Sequence, residues 1–479
     1  MTGLGSLLLL SILAASERPN VLFVVVDDMR VELGCYGQSH VQSPHLDALA
    51  GRAMRFDRAY CQQAVCNPSR ASALTGLRPY TLGLHDLATH FRQRRPGIVT
   101  LPQAMMLAGY HTRCIGKVFH NWLHPKQRGD SRSWSVPSIM HYAHHGDDVP
   151  HVGLLPPNTS PTPKTQRRDV PDEAYFDGRI ATLAADSLRA YAAAEEQQPF
   201  FLAVGFWKPH APFNAPARYW DLYDRDAIDP PTPAKPPRNV PPLAMHDGRE
   251  LRSGFRDRPG RRPNDADTLA LRHGYYAAIS YVDAQIGRVL TALRESGLGE
   301  NTVVVFWSDH GYHLGEKTLW AKTSNFELDA RVPLLIATPP SLDLPRDGRS
   351  TDSLVELLDL YPTLCDLTGV EPPHRLEGTS LVPLLDGREP PPRYALTEHP
   401  RPAYISDETP ATAMGLSLRA PRYRYTEWRR VDDGTTTDDI LATELYDHER
   451  DPDETANIAA EQPDAVATMQ ATLRSLLAE

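Results

Sequence analysis

Asn20-Val21-Leu22-Phe23-Val24-Val25-Val26-Asp27-Asp28 is an unbroken apolar run closed by two adjacent carboxylates. Apolar residues without alternation fit a central strand of a parallel sheet, covered on both faces, better than a half-exposed ribbon. Asp27 and Asp28 then fall at the strand's carboxyl end, where open α/β sheets place their sites. Paired carboxylates also supply the hard oxygen ligands that suit calcium or magnesium. A solvated loop pair is the ordinary fate of adjacent aspartates, but it gives no reason for the charges to cap a hydrophobic strand.

The pattern recurs along the chain. Thr302–Trp307 reads as a further central strand and ends in Ser308-Asp309-His310-Gly311. Two strands far apart in sequence thus present metal-type ligands at their carboxyl ends. Phe200–Phe206 is another buried strand, delivering Trp207-Lys208-Pro209-His210. Tyr110–Ile115 reads as a strand followed by Gly116-Lys117-Val118-Phe119-His120, whose Lys117 and His120 lie close on a turn. Met54–Tyr60 contains a short strand, and Val332–Ala337 is one more. Helices are expected near Ser43–Ala50, Leu101–Ala108, Tyr175–Ala194, Tyr275–Leu293 and Val355–Cys365. Strands alternating with helices define the α/β class.

Met54–Tyr60 feeds Cys61-Gln62-Gln63-Ala64-Val65-Cys66-Asn67-Pro68-Ser69-Arg70. Pro68 is compatible with a helix's first turn, which places Cys66 at an N-terminus whose unpaired N–H groups favour negative charge. Arg70, on the same turn, is suited to gripping an oxyanion with two prongs. One more small buried thiol is the bland reading of Cys66.

Cys66-Asn67-Pro68-Ser69-Arg70, with Leu74-Thr75-Gly76 behind it, resembles the signature of the type I sulfatases of the alkaline phosphatase superfamily. The maturation enzyme of that family reads the cysteine, proline and arginine. The double aspartate, Gly116-Lys117-Val118-Phe119-His120, Lys208-Pro209-His210 and Asp309-His310 extend the likeness from Asn20 to the Glu444-Leu445-Tyr446-Asp447 region, and they are similar to the iduronate-2-sulfatase branch. Many sulfatases carry asparagine where His310 stands.

The resemblance implies an alkaline-phosphatase-like three-layer sandwich with a large, mainly parallel sheet and a smaller C-terminal antiparallel subdomain. It implies oxidation of Cys66 to formylglycine, whose hydrate attacks sulfur, and one divalent metal, Ca2+, on Asp27, Asp28, Cys66, Asp309 and His310. Arg70, Lys117 and Lys322 would offset charge on the sulfuryl group. Asp309 would take the attacking proton, His120 the second hydroxyl's proton, and His210 would serve the departing sugar oxygen. The implied substrates are sulfated glycosaminoglycan oligosaccharides with a 2-O-sulfated uronic acid at the non-reducing end. A formylglycine-generating enzyme is the implied maturation partner. Tyr312 and His313 are placed to shape the sugar pocket, and Arg92, Arg94 and Arg95 either meet an acidic sugar or solvate a surface.

Residues 1–16 form a candidate signal segment, 17–387 the catalytic domain and 388–479 the C-terminal subdomain. Leu8–Ala15 is apolar and too short to span a bilayer, with Ala14-Ala15-Ser16 as a processing site. No Lys or Arg precedes it, so cytoplasmic residence stands beside the periplasmic or secreted reading. Net charge is −10, without the dominant basic field of a nucleic-acid binder. Five cysteines are too few and odd in number for a disulfide framework, and Cys35, Cys114 and Cys365 read as buried thiols. His141, His144 and His145 lie in a stretch, His124–Arg168, that reads as surface loop. Asp229–Pro242 holds seven prolines, which exclude a regular helix or central strand, and with the polar run to Asp267 suit a lid or rim. Two other functions compete. A phosphomonoester or phosphonate hydrolase would not depend on maturation at Cys66, and a glycan-binding module would not need Cys66, Asp27, Asp28 and Asp309 together.

Overall fold

The computed structural model describes residues 18–120, 129–140, 156, 158–160, 162–196, 198–252, 263–388 and 391–478. The candidate signal segment and His141, His144 and His145 lie outside them.

Asn20–Asp27 is fully buried and sits inside an eight-stranded sheet. It pairs in parallel with Thr302–Ser308 on one side and Phe200–Pro209 on the other, and His111–Gly116 continues the parallel set. Beyond Thr302–Ser308, Leu334–Ala337 runs antiparallel, and Met54–Tyr60 follows antiparallel to it. Two reversals return Met54–Tyr60 to the direction of Asn20–Asp27, so Cys61 leaves at the same edge as Asp27. Ser350–Glu356 closes that flank in parallel.

Successive residues of the first strand enter different cores. Leu22, Val24 and Val26 pack with the helices Pro44–Ala50, Phe176–Ala192 and Asp265–Glu295. Val21, Phe23 and Val25 pack with Cys66–Thr75, Leu101–Leu107 and Leu360–Thr368. This alternation is the three-layer arrangement, and it explains why the strand is apolar throughout.

A separate antiparallel sheet orders Ala395–Arg401, Ala413–Arg419, Tyr423–Asp432 and Thr435–Asp447. One face carries the helix Pro463–Ala478 through Met469 and Leu473. Trp428 and Tyr446 pack with Phe326 and Leu319 of the main body. Thr397 Oγ1 donates to Cys61 O at 2.8 Å, and Glu398 N to Gln62 O at 2.8 Å, so the second sheet also braces the loop entering Cys66.

Several elements differ from the sequence reading. Val332–Ala337 is two strands split at Pro333, which has no N–H for the ladder. Val355 lies in the strand Ser350–Glu356, and the helix proper begins at Leu360. The long helix starts at Asp265 rather than Tyr275, because Asn264 and Asp267 form a capping box and its first turn is polar. Thr165–Arg168, expected as loop, pairs with Phe213–Pro216. Cys35 is only partly buried, unlike Cys114 and Cys365.

Candidate active site

Register converts four strand ends into one site. Val26 lies opposite Ser308 and Asp27 opposite Pro209, so Asp27-Asp28, Asp309-His310 and Lys208-Pro209-His210 emerge side by side. Gly116 lies opposite Gly205, and a Cβ on either would come within 2.0 Å of a carbonyl oxygen of the other segment. That close crossing seats Lys117 against the Phe200–Pro209 strand, with Lys117 N donating to Gly205 O at 2.8 Å.

Asp28 adopts a left-handed conformation, φ 65°, unusual for a non-glycine residue. It is over-determined: Asp28 N donates to Asp309 Oδ1 at 3.1 Å, and Tyr275 Oη donates to Asp28 O at 2.7 Å. The twist lets both carboxylates face one point. Cys66 begins its helix there, with Sγ 3.5 Å from Asp27 Oδ1 and 3.3 Å from His310 Nε2. His310 Nε2 is also 3.3 Å from Asp28 Oδ1. His310 Nδ1 lies 3.0 Å from Gly311 O, a partner that fixes the proton on Nδ1 and turns the Nε2 lone pair inward.

Ligand atoms of Asp27, Asp28, Cys66 and His310 all lie within 4.8 Å of one another. Oxygen ligands sit about 2.3–2.6 Å from calcium, so donors sharing one ion span at most about 5 Å. The set is therefore compact enough to share a single cation. Asp309 is adjacent but differently engaged: Oδ1 accepts from Asp28 N and His310 N, and Oδ2 from Arg70 Nε at 2.7 Å. Its Oδ2 is 3.6 Å from His310 Nε2.

Lys117 Nζ contacts Asp27 Oδ2, and Lys322 Nζ lies 2.8 and 3.0 Å from the Asp28 oxygens. Burial alone would raise the Asp27 carboxyl, but Lys117, His210, Arg70 and Lys322 outweigh it and hold the group well below its ordinary value. Burial pushes the Asp28 carboxyl well up; Lys322 opposes that shift, while Asp27, Glu250 and Asp309 reinforce it. Burial and then Asp27 raise the Cys66 thiol, so in this environment it is no thiolate nucleophile. Burial, then Lys117, keeps His120 well below the ordinary imidazole value and hence neutral, within the field of Asp27, Arg70 and Lys322. His210 Nε2 stands 3.7 Å from Asp28 Oδ2 and 3.5 Å from Glu250 Oε1.

Arg70 departs from the expected oxyanion grip. A guanidinium has five N–H donors, and protein acceptors face all of them. Nε meets Asp309; NH1 meets Lys117 O and, at 3.1 Å, Val118 O; NH2 meets Val26 O at 3.3 Å and Asp27 Oδ1 at 3.4 Å. Tyr312 and His313 are fully buried, His313 Nδ1 lying 2.6 Å from Asp329 Oδ1, so neither is a pocket wall. Arg92 is held by Asp130 and Gln103, and Arg95 by Thr81 O.

Sequence reasoning missed Ser308, whose Oγ accepts from Met29 N at 3.0 Å, and the pair Glu250–Tyr404, which joins Lys322 at the site's mouth. Neither Glu250 nor Tyr404 belongs to a motif. The one available signal was the break at Asp229–Asp267, a polar, proline-rich interruption of an otherwise regular α/β pattern.

A three-layer α/β fold with a candidate cation site at the carboxyl edge of its sheet is the architecture of the alkaline-phosphatase-like superfamily. The sulfatase family profile matches residues 19–370, and a profile of the N-sulphoglucosamine sulphohydrolase C-terminal region matches 315–479. Iduronate 2-sulfatase of Mus musculus is 34% identical across 93% of this chain and 91% of its own length. The Homo sapiens enzyme is 34% identical across 92% and 90%. Among solved structures, the phosphonate monoester hydrolase of Silicibacter pomeroyi superposes with a TM-score of 0.76 at 25% identity, over 96% of this chain and 95% of that one. This chain belongs to the sulfatase family and is a sulfatase, an enzyme that hydrolyses sulfate esters.

Proposed function

We propose that this sulfatase removes the 2-O-sulfate from a uronic acid at the non-reducing end of glycosaminoglycan fragments, with Cys66 matured to formylglycine and one Ca2+ at the strand ends. The carrying observation is the convergence of Asp27, Asp28, Cys66 and His310 within 4.8 Å, flanked by Lys117 and Lys322. Similarity to iduronate 2-sulfatase over nearly the whole chain supports the substrate.

Asp27, Asp28 and His310 would hold the cation with the oxygen of residue 66, and Asp309, though engaged by Arg70 and two backbone N–H groups, would stand beside them as a further ligand. When in place, the hydrated aldehyde supplies an oxygen nucleophile and the cation supplies positive charge beside it. Lys117 and Lys322 balance charge on the sulfuryl oxygens without reorganisation, since their partners fix them in a buried site. Arg70 acts one step back, tying Asp27 and Asp309 to the ends of three strands. His120, neutral, takes a proton from residue 66 when sulfate departs. His210 has Nδ1 against Ala211 O at 2.6 Å, which leaves Nε2 to serve the leaving sugar oxygen.

We assign catalysis to residues 17–387 and a supporting subdomain to 388–479, and maturation to a formylglycine-generating enzyme. A periplasmic or secreted location suits a glycan substrate, and no helix among the described residues is long and apolar enough to cross a membrane. The test is sulfate release from a 2-O-sulfated uronate disaccharide by protein coexpressed with the maturation enzyme, with Cys66 conversion checked by peptide mass. Release that vanishes in Cys66→Ala is expected. Failure of fully converted protein to release sulfate would overturn the uronate assignment. The phosphonate monoester hydrolase likeness favours a second reading, and faster turnover of phosphonate or phosphate monoesters than of sulfate esters would establish it.

A further inference from the structure

Glu250 is the anionic group at an entrance otherwise built for an anion. Its Oε1 lies 2.9 Å from Lys322 Nζ, and its Oε2 accepts from Tyr404 Oη at 2.7 Å. The Glu250 side chain is 20% exposed, whereas those of Lys322 and Asp28 are 2% and 0% exposed. An entering ligand therefore passes Glu250 before reaching Lys322. Pairing with Lys322 alone does not account for the residue, because Asp28 already meets Lys322 with both oxygens and Glu250 Oε1 also faces His210 Nε2 at 3.5 Å.

The position explains it better. Asp28 Oδ1, Asp28 Oδ2 and Glu250 Oε1 take the three N–H donors of Lys322; a sulfuryl oxygen that displaced an Asp28 oxygen would share the ammonium with Glu250, which would place the carboxylate roughly two hydrogen-bond lengths from the ester. A substituent on the carbon next to the ester-bearing carbon is of the length to reach the carboxylate. An ionised carboxylate only accepts hydrogen bonds, so it fits a hydroxyl there and repels a second anion. Tyr404, partly buried, fixes which way the carboxylate faces.

We infer that Glu250, oriented by Tyr404, is a specificity-determining residue that accepts a hydrogen bond from a free hydroxyl vicinal to the sulfate ester. The substrate class is then a vicinal hydroxy-sulfate of a sugar, and esters with a second anionic group on the adjacent carbon are rejected. This rests on the proposed reading of Lys322 as the residue that meets the sulfuryl group.

The experiment uses the matured enzyme and compares kcat/KM on four esters: a 2-O-sulfated uronate glycoside with a free 3-hydroxyl, its 3-deoxy analogue, its 3-O-sulfated analogue and 4-nitrophenyl sulfate. The parent enzyme should favour the hydroxyl over the deoxy compound by on the order of 100-fold. Glu250→Ala should bring that ratio to within about 3-fold and raise relative turnover of the 3-O-sulfated ester about 10-fold. Glu250→Gln, which keeps an acceptor, should restore most of the hydroxyl preference yet still admit the second sulfate, and Tyr404→Phe should give an intermediate ratio. Ratios within one preparation do not depend on the fraction folded. A hydroxyl-to-deoxy ratio unchanged in Glu250→Ala, with 4-nitrophenyl sulfate still hydrolysed, overturns the inference alone. Parent enzyme with converted Cys66 that hydrolyses none of the four overturns the sulfatase-site reading and the inference with it.

Discussion

Arg70→Lys separates a clamp from a substrate contact. Arg70 is fully buried and joins the first strand at Val26 O, the segment after the His111–Gly116 strand at Lys117 O and Val118 O, and Asp309 at the end of a third. A lysine places three donors at one point and has no planar fork, so it can keep the Asp309 pair but not the carbonyls as well. Each neutral hydrogen bond lost nets about 1 kcal/mol, and a buried acceptor left bare costs about 1–3 kcal/mol. Two to three carbonyls are involved, so the substitution should destabilise by about 2–5 kcal/mol. Because the m-value grows with chain size, that corresponds to a urea midpoint lower by several tenths of a molar to about 1 M. Asp27 and Asp309 would lose their shared tether, so calcium affinity measured by calorimetry should fall in parallel, while inhibition by inorganic sulfate changes little. Unchanged midpoint and calcium affinity, together with a raised KM and weakened sulfate inhibition, would refute the clamp and restore Arg70 to the oxyanion.

Chelation with EDTA should lower thermal stability and abolish sulfate release, with both restored by calcium, because Asp27 and Asp28 are wholly buried side by side; Asp28→Asn should weaken calcium binding at least about 10-fold. Asp283 caps the Pro44–Ala50 helix, accepting from His45 N at 3.2 Å and Leu46 N at 2.8 Å, and burial pushes its carboxyl up to about 7. A raised folded-state value means stability that is fully present below about pH 4 and is lost as pH climbs to about 7, by up to about 4 kcal/mol. Asp283→Asn should flatten the urea midpoint across that window, and a parallel slope in the variant would count against the assignment. Arg401 reaches from the second sheet to Thr323 O at 3.1 Å, next to Lys322, and to Leu243 O at 2.6 Å. Arg401→Ala should therefore cut kcat roughly 10-fold or more by loosening Lys322 without removing any group from the site; an unchanged kcat would show that the loop holds itself.

The legible part of the site is what strands deliver. Asp27, Asp28, Asp309, Lys117 and His210 each follow an apolar run, and parallel registry then makes their meeting a consequence of strand order. Cys66 was legible as a motif, and its return to the same edge follows from two antiparallel reversals that no local pattern encodes. The Lys322 loop was legible only by resemblance. Lys317, Thr318, Ala321 and Thr323 take left-handed conformations there, against their local preference. Packing imposes them: Ser324 N meets Asp329 Oδ2 at 3.0 Å, and Asn325 Nδ2 reaches Gly415 O at 3.0 Å in the second sheet. Glu250 and Tyr404 were invisible for the same reason, since the short helix Arg249–Arg252 and the segment after the Ala395–Arg401 strand meet only once the chain is folded.

Charge ties these parts together. Within the connected site, Asp27, Asp28, Asp309 and Glu250 face Arg70, Lys117 and Lys322, four carboxylates against three fixed cations. With every one of these groups ionised, carboxylates exceed cations by one within that ion-paired set, and the upward shift that burial imposes on Asp28 works against the excess. On that count a divalent ion would leave one positive charge, which a sulfate monoester with its single negative charge would neutralise. A phosphate monoester dianion would overshoot, in a buried site where uncompensated charge is costly. Glu250→Gln shifts the balance by one unit, so besides admitting a second sulfate on the sugar it should narrow the enzyme's preference for sulfate over phosphate esters, measured as the ratio of kcat/KM on 4-nitrophenyl sulfate and 4-nitrophenyl phosphate. A ratio unmoved by that substitution would mean that the balance is set by geometry around residue 66 and not by the charge at the mouth.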